Sequence, residues 1–267
     1  MSELDELRTD LIDEQRSLDA LVAHIDERQW RLDTPSPGWN VADQIGHLAY
    51  FDEAARTAIL SPQRFRASVG ELFEGARHKG LDAFTLETFR AMTSEQLLAT
   101  WRENRRGLAE AAHGLSEATR VDWYGPSMGA KSFLTARLME TWAHGTDVAD
   151  ALGLHLTPSD RLRHIAQLGF ITRKWSYQIR GEEVPDGRVR VSLSGPSGTQ
   201  WTWGEENADD EVRGDVEDFC LVVTQRRHLD DTDLEVGELA RHWLVRAQAF
   251  AGAPSEGPPA KGRHGTP

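Results

Sequence analysis

Apolar residues recur at three- and four-residue steps at the start of the chain. Leu4, Leu7, Leu11, Leu18, Leu21, Val22 and Ile25 fall on one stripe, the period of an amphipathic helix. Ser2, with Asp5 three residues on, can cap its free first-turn amides. From Asp33 to Trp39 the chain holds two prolines and a glycine, which cannot continue a helix. A second helix is predicted from a cap at Asn40 to about Leu60. Residues 61 to 92, with Pro62, Gly70, Gly75 and Gly80 among scattered aromatics, predict short helices and a mobile connection. Thr93 and Gln96 form a capping box ahead of a third helix marked by Leu97, Leu98, Trp101, Leu108 and Ala112. A link from Asp122 to Gly129 leads to a fourth helix, from about Ser132 to Ala151. Four long helices with moderate connections predict a four-helix bundle over residues 1–157.

The pattern changes after Pro158. A helix is predicted from Asp160 to about Ile179, and then Val189, Val191 and Leu193 alternate with Arg190 and Ser192, the period of a half-buried strand. Gly195-Pro196-Ser197-Gly198 reads as a turn and Gln200 to Trp203 as the partner strand. A short strand at Val212 to Gly214 and helices at Asp215 to Val223 and Val236 to Ala249 complete the reading. The fold class is therefore α+β, a bundle followed by a smaller α+β domain over residues 158–253. A Pro- and Gly-rich tail, 254–267, is expected to be disordered.

Composition narrows the function. The 267 residues are 39% hydrophobic and 27% charged, enough for a buried core. A net charge of −13 without a basic stripe excludes a nucleic-acid surface. No apolar stretch approaches the ~18 residues of a membrane span, and no signal peptide is visible, so a soluble cytoplasmic protein is expected. The single cysteine, Cys220, lies in the apolar run Phe219 to Val223 and reads as a buried small hydrophobe. No Cys-rich metal site can form, and no phosphate loop, nucleophile elbow or Cys-His pairing is present.

Glu140 and His144 stand four apart within the fourth helix and leave the same face. A carboxylate and an imidazole so placed can hold a divalent metal, with a third ligand available at His47 of the second helix. Three protein ligands leave a position open for water or substrate. The plain alternative is a solvent-facing Glu–His pair worth ~0.2–0.5 kcal/mol. The apolar neighbours Leu138, Met139, Trp142, Ala143 and Val148 favour the metal, because a carboxylate is costly to bury without a partner. Asp147 is either an acceptor that orients the His144 imidazole or a solvent-facing acid. Trp39, Trp123, Trp142 and Tyr50 are candidates for a pocket wall or for core.

Pro37-Gly38-Trp39, Asp43 and Gly46-His47-Leu48 resemble the first-helix signature of the DinB-like metal-binding superfamily. Glu140 to Val148 resembles the second signature of its mycothiol-dependent maleylpyruvate isomerase group. The segment from Val189 to Leu244 resembles that group's C-terminal domain, and the stretches Phe219 to Asp233 and Gln248 to Gly252 resemble an uncharacterised actinobacterial metal-binding subfamily. The resemblance implies His47, Glu140 and His144 as ligands of a solvent-accessible metal, zinc first, with nickel, iron or manganese also suited to the donors. It further implies a catalytic arginine of the C-terminal domain. Here that is Arg226, in a stretch where Gln225 stands in place of the more usual glycine, or else Arg227; solvated side chains are the alternative for both.

Such a site predicts a metal-dependent enzyme using a low-molecular-weight thiol, with mycothiol the implied cofactor, on a small anionic or electrophilic substrate. Isomerase and S-transferase chemistry both fit. Two other readings stay open: a non-catalytic metal- or small-molecule-binding protein, and a thiol-independent hydrolase or cyclase. The sequence carries no signal for oligomeric state.

Overall fold

The computed structural model describes residues 2–125 and 127–261. It divides after Leu156 into two compact units. In the first, α1 (Glu3–Val22), α2 (Val41–Leu60), α3 (Pro62–Lys79), α4 (Leu81–Arg90), α5 (Ser94–Ala112) and α6 (Ala130–Leu152) are joined by short links. One of these contains the two-residue strands β1 (Arg120–Val121) and β2 (Met128–Gly129), paired antiparallel. Helices α1, α2, α5 and α6 form the bundle, with α2 against α5 and α6, and α1 against α6.

Three of these helices begin with a reciprocal capping box, Ser2 with Asp5, Asn40 with Asp43 and Thr93 with Gln96. Each cap satisfies a first-turn amide, a contribution of about 1 kcal/mol. Leu18 and Val22 of α1, Val41, Ile45, Leu48 and Ala49 of α2, Leu97 and Trp101 of α5 and Val148 of α6 share one core cluster. Fully burying a leucine or valine is worth roughly 1.5–3 kcal/mol, so this cluster holds the four helices together. The region expected as short helices with a mobile connection is two helices, α3 and α4, meeting at Gly80. Gly80 adopts φ +88°, a left-handed conformation that favours glycine and stops α3.

The second unit contains α7 (Leu162–Ile171), α8 (Arg173–Gln178), β3 (Val189–Ser194), β4 (Gln200–Trp203), β5 (Asp210–Asp215), α9 (Val216–Val223), β6 (Glu235–Val236) and α10 (Glu238–Leu244). The helix expected over 160–179 is split in two at Thr172, whose hydroxyl donates to the Leu168 and Gly169 carbonyls. The expected hairpin is β3–β4, and the sheet order is β4-β3-β5-β6, with β5 parallel to β3. Gly169 lets α7 approach α9 closely, since a Cβ there would lie 2.8 Å from Val223. Cys220 is wholly buried, its thiol donates to the Leu162 carbonyl at 3.5 Å, and burial pushes its pKa up, as befits a core residue.

The described part of the Pro- and Gly-rich tail, 254–261, forms no helix or strand. Ser255 donates to Gln225 at 2.6 Å, its amide donates to Gln248 at 3.2 Å, and its carbonyl accepts from Gln225 at 2.9 Å. The Lys261 amide donates to Asp231 at 2.9 Å. Side-chain amides spaced along the second unit thus hold this Pro- and Gly-rich stretch without any helix or strand. Residues 262–267 lie outside the described residues.

Candidate metal centre

The side chains of His47, Glu140 and His144 converge inside the first unit. Each offers one ligand atom, and these atoms all lie within 4.8 Å of one another. Glu140 Oε2 lies 3.1 Å from His144 Nε2 and 3.5 Å from His47 Nε2. Two donors on a tetrahedral zinc with bonds near 2.0–2.1 Å stand about 3.3–3.4 Å apart, so these two spacings from Glu140 fit such an ion. The helical period explains the convergence. Glu140 and His144 are one turn apart on α6, and α2 packs its His47 face against them.

Burial tends to raise the Glu140 carboxyl, but hydrogen bonds and charge from His144 and His47 outweigh it and hold the group well below the usual carboxylate range. Burial lowers His47 to about 4, aided by the His144 charge and opposed by Glu140. Glu140 is therefore ionised and His47 neutral at neutral pH, the forms in which both can ligate a metal. Among the described residues, the hydrogen-bonding and ion-pair partners of Glu140 are these two imidazoles.

The loop between α1 and α2 closes one side of the site. Asp33 and Asn40 form an isolated antiparallel bridge across it. Its Trp39 ring stacks on His144 at 5.9 Å between centroids, tilts against His47 at 5.1 Å, and is pinned through Nε1 to Asp82 at 2.9 Å. Phe51, one turn beyond His47 on α2, packs on the same imidazole at 4.6 Å and continues into Tyr124 and Trp123. Trp39 is thus a wall of the site, whereas Trp142 is a core residue. Tyr50 packs edge-on against Phe51, one ring removed from His47.

The sequence leaves two readings open for Asp147, an acceptor for His144 or a solvent-facing acid, and the structure places Gln44 at His144 Nδ1 and buries Asp147. Asp147 is buried and accepts from Ser36 Oγ at 2.9 Å, tying the loop to α6. The partner of His144 Nδ1 is Gln44, whose Oε1 lies at 2.5 Å. Gln44 was missed. Its signal was an amide three residues before His47, within a run whose neighbours Val41, Ile45 and Leu48 are core. A second omission is the ion pair of Asp52 and Arg137, both buried, at 2.9 Å.

Arg226 and Arg227 lie in the second unit, just after α9. Gln225 before them is the one non-glycine at positive φ among the described residues, +60°, a conformation that favours glycine. Its side-chain amide donates to Ala247 and Ser255, which offsets that strain. Arg226 donates to the Thr224 carbonyl at 2.7 Å and Arg227 to the Arg226 carbonyl at 2.8 Å, and both are half-buried.

Among the described residues, no helix is long and apolar enough to cross a membrane. Two uncharacterised proteins of Mycobacterium tuberculosis strains are each 44% identical to the chain over 251 residues, spanning 93% of it and 96% of their own length. Crystal structures of the mycothiol-dependent maleylpyruvate isomerase share its fold, with TM-scores of 0.60 and 0.59 at 16% identity over 95% of this chain and 97% of theirs. The family model for the mycothiol maleylpyruvate isomerase N-terminal domain matches residues 11–149, which carry all three converging side chains. By that match the chain belongs to the mycothiol maleylpyruvate isomerase N-terminal domain family.

Proposed function

We propose that the protein is a metal-dependent enzyme that uses a low-molecular-weight thiol such as mycothiol on a small anionic or electrophilic substrate, by isomerisation or S-transfer. The convergence of His47, Glu140 and His144 carries this reading. Family membership and the mycothiol dependence named for its structural neighbours support the thiol. The chemistry a divalent metal supplies here is to favour the thiolate form of a bound thiol near neutral pH.

The protein's own residues do the rest. His47 and His144 present nitrogens and Glu140 a carboxylate, a set that suits zinc first. Trp39 and Phe51 flank the imidazoles and limit water on that side. Arg226, with Arg227 beside it, is assigned to hold the carboxylate of an anionic substrate, because a guanidinium matches a carboxylate with two parallel hydrogen bonds.

The test is turnover of cis-unsaturated diacids and of alkylating electrophiles by metal-loaded protein, with and without mycothiol. Turnover that requires the thiol supports the proposal. Turnover without thiol replaces it with a hydrolase or cyclase, and thiol binding without any turnover leaves a binding protein.

A further inference from the structure

We propose that Gln44 is a positioning residue that keeps a proton on His144 Nδ1, so that Nε2 is the nitrogen His144 offers to a metal. The inference rests on the metal-site reading for its consequence, and on a chain of hydrogen bonds for its direction.

That chain starts at a group with no choice. The Trp39 backbone carbonyl can only accept, and it takes a hydrogen bond from Thr34 Oγ1 at 2.9 Å. The single hydroxyl proton of Thr34 is thereby committed, so its oxygen must accept from the next neighbour, Gln44 Nε2, at 2.8 Å. With its NH2 group turned toward Thr34, the Gln44 amide presents its oxygen to His144 Nδ1 at 2.5 Å. An amide oxygen has no hydrogen to give, so Nδ1 must carry the proton. His144 Nε2 then faces Glu140 Oε2 at 3.1 Å, inside the three-residue cluster. Each link is fixed by the one before it, from a loop carbonyl to a metal-facing nitrogen.

The surroundings keep the chain in place. Gln44 is fully buried, so bulk water does not compete for its amide. Trp39, whose carbonyl starts the chain, has its ring stacked on His144 and its indole nitrogen tied to Asp82. The backbone amide of Thr34 also donates to the Trp39 carbonyl, at 2.9 Å, which closes the turn that aims the threonine hydroxyl. The loop that walls the site therefore also sets the orientation of one ligand. An outer partner of this kind orients a ligating imidazole, and its loss typically costs 10–100-fold in metal affinity.

Two measurements on the full chain test this. The first is nitrogen-15 NMR of the imidazoles, with and without zinc. In the metal-free wild type a proton on His144 Nδ1, shifted downfield by its hydrogen bond to Gln44, is expected, with that downfield shift lost in Gln44→Met; an Nδ1 without a proton in the metal-free wild type overturns the inference. The second is zinc affinity by chelator competition. Gln44→Met, which keeps the volume and removes the acceptor, is expected to weaken binding about 10–100-fold, and Gln44→Glu, which keeps an acceptor, to restore it. Equal affinity in the wild type and Gln44→Met would overturn the positioning role. A wild type that binds no zinc but shows the Nδ1 proton would sink the metal reading and leave the assignment of that proton standing.

Discussion

Two carboxylates inside the bundle are completed in opposite ways. Asp52 of α2 is wholly buried and meets Arg137 of α6 at 2.9 Å and Gln15 of α1 at 3.4 Å. Burial pushes the Asp52 carboxyl up and Arg137 opposes it. Glu140, three residues beyond Arg137 on α6, meets two imidazoles, one of them kept neutral by burial. The first carboxylate has its cation built into the chain, so its station is closed and structural. The second has nitrogen donors gathered around a negative charge, an arrangement that a divalent cation would complete. A buried polar residue becomes a functional candidate less through its burial than through how its charge is balanced.

The largest expected effect breaks the closed station. Arg137→Ala should destabilise the fold by about 3–5 kcal/mol in urea unfolding, because it leaves a buried carboxylate without its partner. Replacing both members, Asp52→Leu with Arg137→Met, should recover most of that loss. If the double variant were as unstable as the single one, the pair would be more than a balanced charge.

The open station should behave differently. His144→Ala should abolish metal binding while the metal-free protein loses only about 1 kcal/mol and keeps its helical circular dichroism. A collapse of the metal-free variant would make the site structural. Arg226→Ala, outside the bundle, should leave metal content unchanged and depress turnover of an anionic substrate. Unchanged kinetics would move that role to Arg227 or remove it.

The smallest effect separates both stations from a half-buried carboxylate on the outer side of the bundle. Asp19 is held by Arg102 and Arg105 of α5. Burial tends to raise it, but the guanidinium hydrogen bonds win and its pKa is lowered. A depressed folded pKa stabilises above the unfolded value near 3.9, and that contribution disappears as pH falls through the folded one. Asp19→Asn should therefore cost about 1 kcal/mol or less at pH 7, and the gap to the wild type should close in acid. A gap that persisted at low pH would show that the loss is not electrostatic.

What the sequence made legible was local. Helix caps at Ser2, Asn40 and Thr93, the apolar stripe of α1 and the alternation of β3 each lie within a few residues of chain, where a periodic pattern or a single side chain decides the outcome. The i, i+4 spacing of Glu140 and His144 was visible for the same reason. Contacts across long separations were not. Gln44 and His144 are 100 residues apart, and Asp52 and Arg137 are 85. Nothing in a single chain says which buried amide or acid faces which partner, so Asp147, close in sequence to His144, is as good a candidate there as Gln44, which makes the contact. The parallel pairing of β5 with β3 was hidden likewise, since strand alternation fixes the buried face and not the neighbour.

The most direct test is the metal content of the purified, tag-free wild type by inductively coupled plasma mass spectrometry, beside His47→Ala. The converging donors predict about one transition-metal ion per chain, zinc first, in the wild type and none in the variant. Folded wild-type protein that holds no metal and takes none up on reconstitution would contradict the assignment of His47, Glu140 and His144 as a metal site.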